Sequence, residues 1–303
     1  MKNLPLLFLL LFSLPVWAGS AAAPSVTCTA LLSTNERGRA VEGAEQALKN
    51  DKDDFDLWLC LGMAREAMGQ LDAALSAMQS AEKFAKKPTD RMVALVAQGT
   101  ALRRAQKPME AVPLYQKGLD VAQAEKDTGS EQAIHNLLGS ALLDGGDATA
   151  ALEQFQLSLK LAANDNERAE SYGRIASAQS KLGQHEDAIA HQLKAVMMEE
   201  KAGSFESYAE ALLELGRICL VGGQYADAEK WLNKLLKLLE DAGAGDSLVQ
   251  SRAHAFLSQV KAAQGDDAAA REQQRLADEM HDRILDWWQR EWEDRIRQEK
   301  SAQ

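Results

Sequence analysis

The sequence predicts an all-α solenoid of tandem paired helices, and three observations lead to that expectation. The first is a ruler of small residues that recurs along nearly the whole chain: a marker, a second marker seven residues on, and a third twelve residues on. Its clearest copy is Gly62, Gly69 and Ala74. The others are Gly99, Gln106, Ala111; Gly139, Gly146, Ala151; Ala176, Gly183, Ala188; Gly216, Gly223, Ala228; and Ser258, Gly265, Ala270. The second is that the step between these copies varies from 37 to 42 residues, and is 34 back to a degenerate copy at the amino-terminal end, while the ruler within each copy stays constant. Rigid helix pairs joined by elastic loops give that pattern. The third is composition: 46% hydrophobic but only 6% aromatic residues suit close helix–helix packing better than a β-rich domain. A solenoid has no single core and grows by stacking, so the 303 residues do not by themselves set a domain count.

Residues 1–18 read as a signal peptide. Lys2 supplies a basic start, an apolar stretch follows from Leu4 to Trp17, and Val16 and Ala18 occupy the −3 and −1 places of a cleavage site. The predicted cut lies between Ala18 and Gly19. The apolar run is short for a membrane span and contains Pro5 and Pro15, which favours cleavage over an anchor. Cys28 stands too far beyond the apolar run to be a lipoprotein cysteine. The expected location is therefore periplasmic or secreted, without stable membrane insertion. The net charge is −11, about −12 once Lys2 is removed, and no basic run interrupts it. That balance argues against nucleic acid or anionic lipid as the main partner.

Residues 19–54 read as a degenerate amino-terminal repeat, with Ala40, Ala44 and Ala47 on its second helix. Extending the register backward puts Cys28 and Cys60 on neighbouring first helices. An exported chain can form disulfides, and a bridge there would staple the weakest end of the solenoid; spacing leaves the bridged and free states both open. Cys219 falls among the packing positions of its helix and reads as a small buried hydrophobe. No CxxC or metal-ligand spacing occurs, so neither metal nor cofactor is expected.

Six full copies follow over residues 55–282, starting near 55, 92, 132, 169, 209 and 251. Each divides into a helix A, a tight turn and a helix B. The second marker lies where helix A must stop, and glycine enters the left-handed conformation there without a Cβ penalty. The first marker lies inside helix A, where glycine costs about 1 kcal/mol against alanine. That cost is tolerable if the missing side chain lets helix B approach, with the third-marker alanine as its small partner. Larger residues then fill the wedge: Leu61 and Met78, Leu138 and Phe155, Ile175, Leu215 and Leu232. Loops are expected at 86–90, 126–130, 163–167 and 241–246. Pro108 suits the first turn of a helix B, whereas Pro113 should weaken or bend that helix.

These residues resemble the tetratricopeptide repeat, most fully in Trp58, Leu61-Gly62, Ala74, Met78 and Ala81. The resemblance covers roughly residues 55–282 and implies a right-handed superhelix that binds rather than catalyses. Two departures stand out. The family's aromatic in helix A is replaced by Arg65, Leu102, Leu142, Gln179, Cys219 and Lys261, and the closing proline is mostly absent. The longer steps are similar to the extended-helix variety found in kinesin light chain and bacterial peptide-sensing regulators. The resemblance also implies a concave surface lined by helix A residues not used in packing. Carried over position by position, that surface holds Thr100, Arg103, Asn136, Ser140, Arg174, Ser177, Lys181, Glu214 and Arg217. Its four cations point either to a local positive pocket for a carboxylate or acidic peptide, or to a solvated face of ordinary ion pairs. The family's carboxylate clamp for chaperone tails is not reproduced.

The chain ends in a helix without Gly or Pro from Asp266 to Lys300. Residues 283–303 are its Trp-rich part. Leu276, Met280, Ile284, Trp288 and Trp292 recur every four residues, Trp287 widens the stripe, and Glu291/Arg295 and Glu293/Arg297 are spaced as supporting pairs. The stripe either caps the solenoid's open end or, through Trp287, Trp288 and Trp292, forms a contact with a partner or a second copy.

No catalytic constellation is found. His185 and His191 are six apart and share no helix face, while His135 and His254 occupy equivalent repeat positions and should pack between helices. Nucleophile elbows, phosphate loops and HExxH are absent from the sequence. The expectation is an exported, non-enzymatic scaffold or adaptor that holds a protein or peptide segment in its groove, in cell-envelope assembly or regulation. A peptide- or ligand-sensing regulatory module is the alternative, and an envelope enzyme a third.

Overall fold

Left-handed residues at the second-marker positions divide the chain into helix pairs. The computed structural model describes residues 24–301, among which every regular element is a helix; the signal peptide at 1–18 lies outside the described residues. The amino-terminal pairs are α1 (Pro24–Ser33) with α2 (Arg37–Leu48), α3 (Phe55–Ala67) with α4 (Leu71–Phe84), and α5 (Pro88–Arg104) with α6 (Pro108–Glu125). The central pairs are α7 (Thr128–Asp144) with α8 (Ala148–Leu161) and α9 (Asp165–Lys181) with α10 (His185–Ala202). Then come α11 (Phe205–Val221) with α12 (Tyr225–Asp241) and α13 (Leu248–Ala263) with α14 (Asp267–Ser301).

The turn inside each pair is one motif repeated. Gly69, Gly146, Gly183, Gly223 and Gly265 have φ between +73° and +93°, while Gln106 adopts φ +61° in the same place. Asn35 does so at φ +62°, and with Cys28 and Ala40 it extends the ruler into the first pair. The residue after each turn donates its N–H five residues back, as Gln70 does to the Arg65 carbonyl and Asp147 to the Leu142 carbonyl, both at 2.9 Å. This bond satisfies carbonyls that the helix end would otherwise orphan.

Within a pair, the first-marker glycine faces a large side chain sixteen residues on. A Cβ on Gly139 would lie 2.6 Å from Cε1 of Phe155, and one on Gly62 2.5 Å from Cγ of Met78. The helices are therefore as close as the glycine allows. The third-marker alanines are buried throughout. Odd-numbered helices touch their odd-numbered neighbours from α1 to α13, whereas no two even-numbered helices touch. The odd helices thus form the inner, concave wall and the even ones splay on the outside.

Several local expectations need correction. Much of 126–130 and 163–167 is helix, because Asp127 and Asn164 cap α7 and α9 by accepting N–H bonds from Ser130 at 3.0 Å and Glu167 at 2.9 Å. Pro88 begins α5 within the expected 86–90 loop, and α6 continues through Pro113. Arg297 pairs with Asp294, not Glu293, and Glu293 instead accepts from Gln289 Nε2 at 3.1 Å. His135 and His254 pack between helices, bonded through Nδ1 to Gln154 Oε1 at 2.9 Å and Gln273 Oε1 at 2.7 Å.

A disulfide joins buried Cys28 of α1 to buried Cys60 of α3, with Cα atoms 6.3 Å apart. Cys219 is a free, buried thiol whose pKa is pushed up to about 11, chiefly by burial and secondarily by Asp227. At the other end, Ala277, Met280 and Ile284 of α14 are buried. The stripe stops covering the solenoid there, since Trp287, Trp288 and Trp292 are 56%, 58% and 63% exposed. No helix among the described residues is long and apolar enough to cross a membrane.

Candidate functional site

The concave wall encloses a cavity of about 460 Å³, walled mainly by α7, α9, α10 and α11 with Arg103 of α5 at its edge. Five of the nine expected residues line it: Arg103, Ser140, Arg174, Ser177 and Glu214. Equivalent register explains much of the convergence, because Ser140 and Ser177 each follow the first marker of their own copy by one residue, and Arg174 and Glu214 each precede theirs by two. The other four lie elsewhere. Thr100 shares a 3.2 Å hydrogen bond with the Tyr115 hydroxyl of its own helix pair. Asn136 is buried beneath the wall, Lys181 is exposed, and Arg217 stands behind Glu214.

Polar contacts tie the wall together across successive pairs. Arg174 donates to Ser140 Oγ at 2.6 Å and to Glu170 at 2.7 Å, and Ser140 donates onward to the Asn136 carbonyl at 2.7 Å. Ser177 donates to Glu214 Oε1 at 3.1 Å, and the same oxygen accepts from Arg217 at 2.6 Å. The hydrogen bond to Glu214 holds the Arg217 guanidinium above its usual pKa despite burial. Arg103 reaches Asp144 at 3.1 Å.

A positive pocket is therefore not what the wall presents. Arg103, Arg174 and Arg217 are each neutralised by a carboxylate. The cavity lining holds five carboxylates (Asp144, Glu170, Glu199, Glu210 and Glu214) against two guanidiniums. Glu199 has its pKa raised, first by burial and then by neighbouring Glu170. The lining thus carries more carboxylates than cations, although the buried Arg103 Nε has no hydrogen-bond partner among the described residues.

The residues missed from sequence come from two sources. Gln192, Ala195 and Glu199 belong to α10, an even-numbered helix expected only on the outer side. Yet Gln192 stands sixteen residues after Ala176, where four other copies place Met78, Tyr115, Phe155 or Leu232 and the sixth places an exposed Gln274. A polar residue at that apolar position is a signal the sequence contained. Glu170 and Glu210 likewise sit at equivalent places, six residues before the first markers Ala176 and Gly216. A second cavity of about 660 Å³ lies at the far end, between Leu248, Ile284, Trp287 and Trp288, under the Arg283–Asp246 ion pair. No cluster that could hold a metal ion occurs among the described residues.

A family model described as a tetratricopeptide repeat matches residues 29–90, 96–166 and 174–247. Among solved structures, the apo form of RapI is similar with a TM-score of 0.62 at 15% identity, over 81% of this chain and 81% of that one. BtubC (BKLC) from P. vanneervenii is similar with a TM-score of 0.55 at 16% identity, over 88% of this chain and 93% of that one. At these identities the likeness is one of fold. No curated protein matches the chain.

Proposed function

Because the chain belongs to the tetratricopeptide repeat family, a fold that mediates protein–protein interaction, we propose that it is an exported, non-catalytic scaffold or adaptor that holds a segment of another protein in its concave groove, in cell-envelope assembly or regulation. The convergence of side chains from six helices on one inner cavity carries this reading. Its volume lies in the roughly 300–1,000 Å³ range of ligand sites. Export rests on the signal-peptide pattern of residues 1–18 and agrees with the Cys28–Cys60 bridge. Amino-terminal sequencing of the secreted protein should begin at Gly19; a chain beginning at Met1 would contradict export. Trp287, Trp288 and Trp292 offer a second contact surface, for self-association through the carboxyl-terminal helix.

Ser177→Trp tests the groove, since an indole there would fill the cavity without touching the Gly/Ala seam. Partner chains captured from envelope extract by the wild type should be lost from this variant, while its helical circular dichroism stays unchanged. Capture of the same partners at equal affinity would remove the groove as the binding surface.

A further inference from the structure

The cavity at the far end of the array is walled differently from the groove. Arg283, Ile284, Trp287, Trp288 and Arg290 share one face of α14, and that face looks across at Leu248 and Val249, where α13 begins. The indoles of Trp287 and Trp288 stand edge to face with centroids 5.3 Å apart, and with Leu248 they keep more than half of their surface in water. Two aromatic rings and a leucine held open around a concave site leave apolar area for a ligand to cover.

The polar groups of this cavity are nearly all committed. Asp246 and Arg283 hold each other through two hydrogen bonds, and Ser247 caps α13 by accepting from the Gln250 N–H at 3.2 Å. Arg290 is the exception. Its Nε donates to the Asp286 carbonyl at 3.1 Å, but its guanidinium has no carboxylate partner among the described residues. Arg275, Arg283 and Arg297 of the same helix each have one. A peptide laid in this cavity would bring backbone N–H and C=O groups that find few partners there. A ligand with one anionic end and an otherwise apolar body meets what the walls offer.

Independently of the groove, we propose that this cavity binds a small amphipathic carboxylate, an acyl or aryl chain whose anionic end pairs with Arg290 and whose body lies between Leu248, Ile284 and the two indoles. The volume of about 660 Å³ falls in the roughly 300–1,000 Å³ range of small-molecule sites. Trp292, one turn further along the stripe, is not part of the lining, so it separates this role from self-association.

The test titrates decanoate and decyltrimethylammonium, each below its micelle-forming concentration, into the mature chain by calorimetry. Decanoate should bind and the cationic amphiphile should not. Arg290→Gln should weaken decanoate about tenfold, the effect expected from losing one charge-assisted hydrogen bond. Arg271→Gln, the same charge change at an exposed site of α14 outside the cavity, should leave the affinity unchanged. Trp288→Ala should also weaken decanoate, whereas Trp292→Ala should not; both side chains are exposed, so both variants should keep the wild-type circular dichroism. Equal binding of the two amphiphiles would reduce the site to an apolar patch and overturn the proposal. Equal losses in Arg290→Gln and Arg271→Gln would reduce the effect to overall charge, and equal losses in Trp288→Ala and Trp292→Ala would place decanoate on the stripe rather than in the cavity; either result overturns it. Failure of decanoate to bind overturns it as well. If the protein then sediments as a dimer that Trp292→Ala dissociates, a second copy occupies this face, and the self-association surface stands without the ligand site.

Discussion

Gly139 and Gln106 show the same ruler obeyed and broken. An alanine at position 139 would press its Cβ to 2.6 Å from the Phe155 ring, which cannot retreat inside a buried wedge. Gly139→Ala should therefore destabilise by about 1–3 kcal/mol, the usual cost of overpacking. Gln106 carries a side chain in the left-handed conformation that its equivalents fill with glycine. Gln106→Gly should stabilise by about 0.5–1 kcal/mol. Urea melts of both variants check these opposite signs. Both positions were legible from spacing, because a missing side chain leaves its mark in the residue type. Gln192 and Glu199 were not, because they reach the cavity from α10, a helix expected on the outer side.

Glu199 also makes a pH prediction. Its pKa in the folded state is raised, so folding favours the protonated carboxyl. The ionised form therefore subtracts from stability above the folded pKa, and that penalty vanishes below the unfolded pKa. Glu199→Gln should raise the Tm at about pH 7 and lose that advantage at about pH 3, where the carboxyl is protonated in both states. A variant that is less stable at neutral pH would show that Glu199 has a structural partner.

Among elements, the two ends of the array are finished differently. Among the described residues α1 packs only on α2 and α3, and the Cys28–Cys60 bridge closes a loop of 32 residues there. Replacing both cysteines by serine should cost about 3–4 kcal/mol in the chain-entropy model. Thiol counting on the denatured, unreduced protein should find one thiol, Cys219; three would refute the bridge. At the other end, the Asp246–Arg283 pair and buried Ile284 dock α14 on its neighbours. Truncation after Asp282 removes that pair, one buried side chain and the exposed tryptophans. The shortened chain should stay folded with a Tm only a few degrees lower, since burying one isoleucine is worth about 1.5–3 kcal/mol. Collapse into aggregates would mean that the tryptophan segment caps the solenoid.

For the whole molecule, the helix pairs and their stacking were legible because each repeat restates the same packing problem. Curvature and charge were not. Which helices line the groove follows from contacts between neighbouring odd-numbered helices, and Glu199 and Gln192 reach the cavity from an even-numbered one. The four cations that suggested a positive wall lose that meaning once three are paired with carboxylates contributed by neighbouring turns and helices. The central claim is that this concave groove holds a segment of another protein. Site-specific photo-crosslinking in the producing cells tests it most directly, with the reactive group placed in turn at Ser177 inside the groove, at exposed Glu153 on the outer α8, and at Trp288. The account predicts a discrete protein adduct from Ser177 that is absent from Glu153. Adducts from Glu153 or Trp288 with none from Ser177 would contradict it.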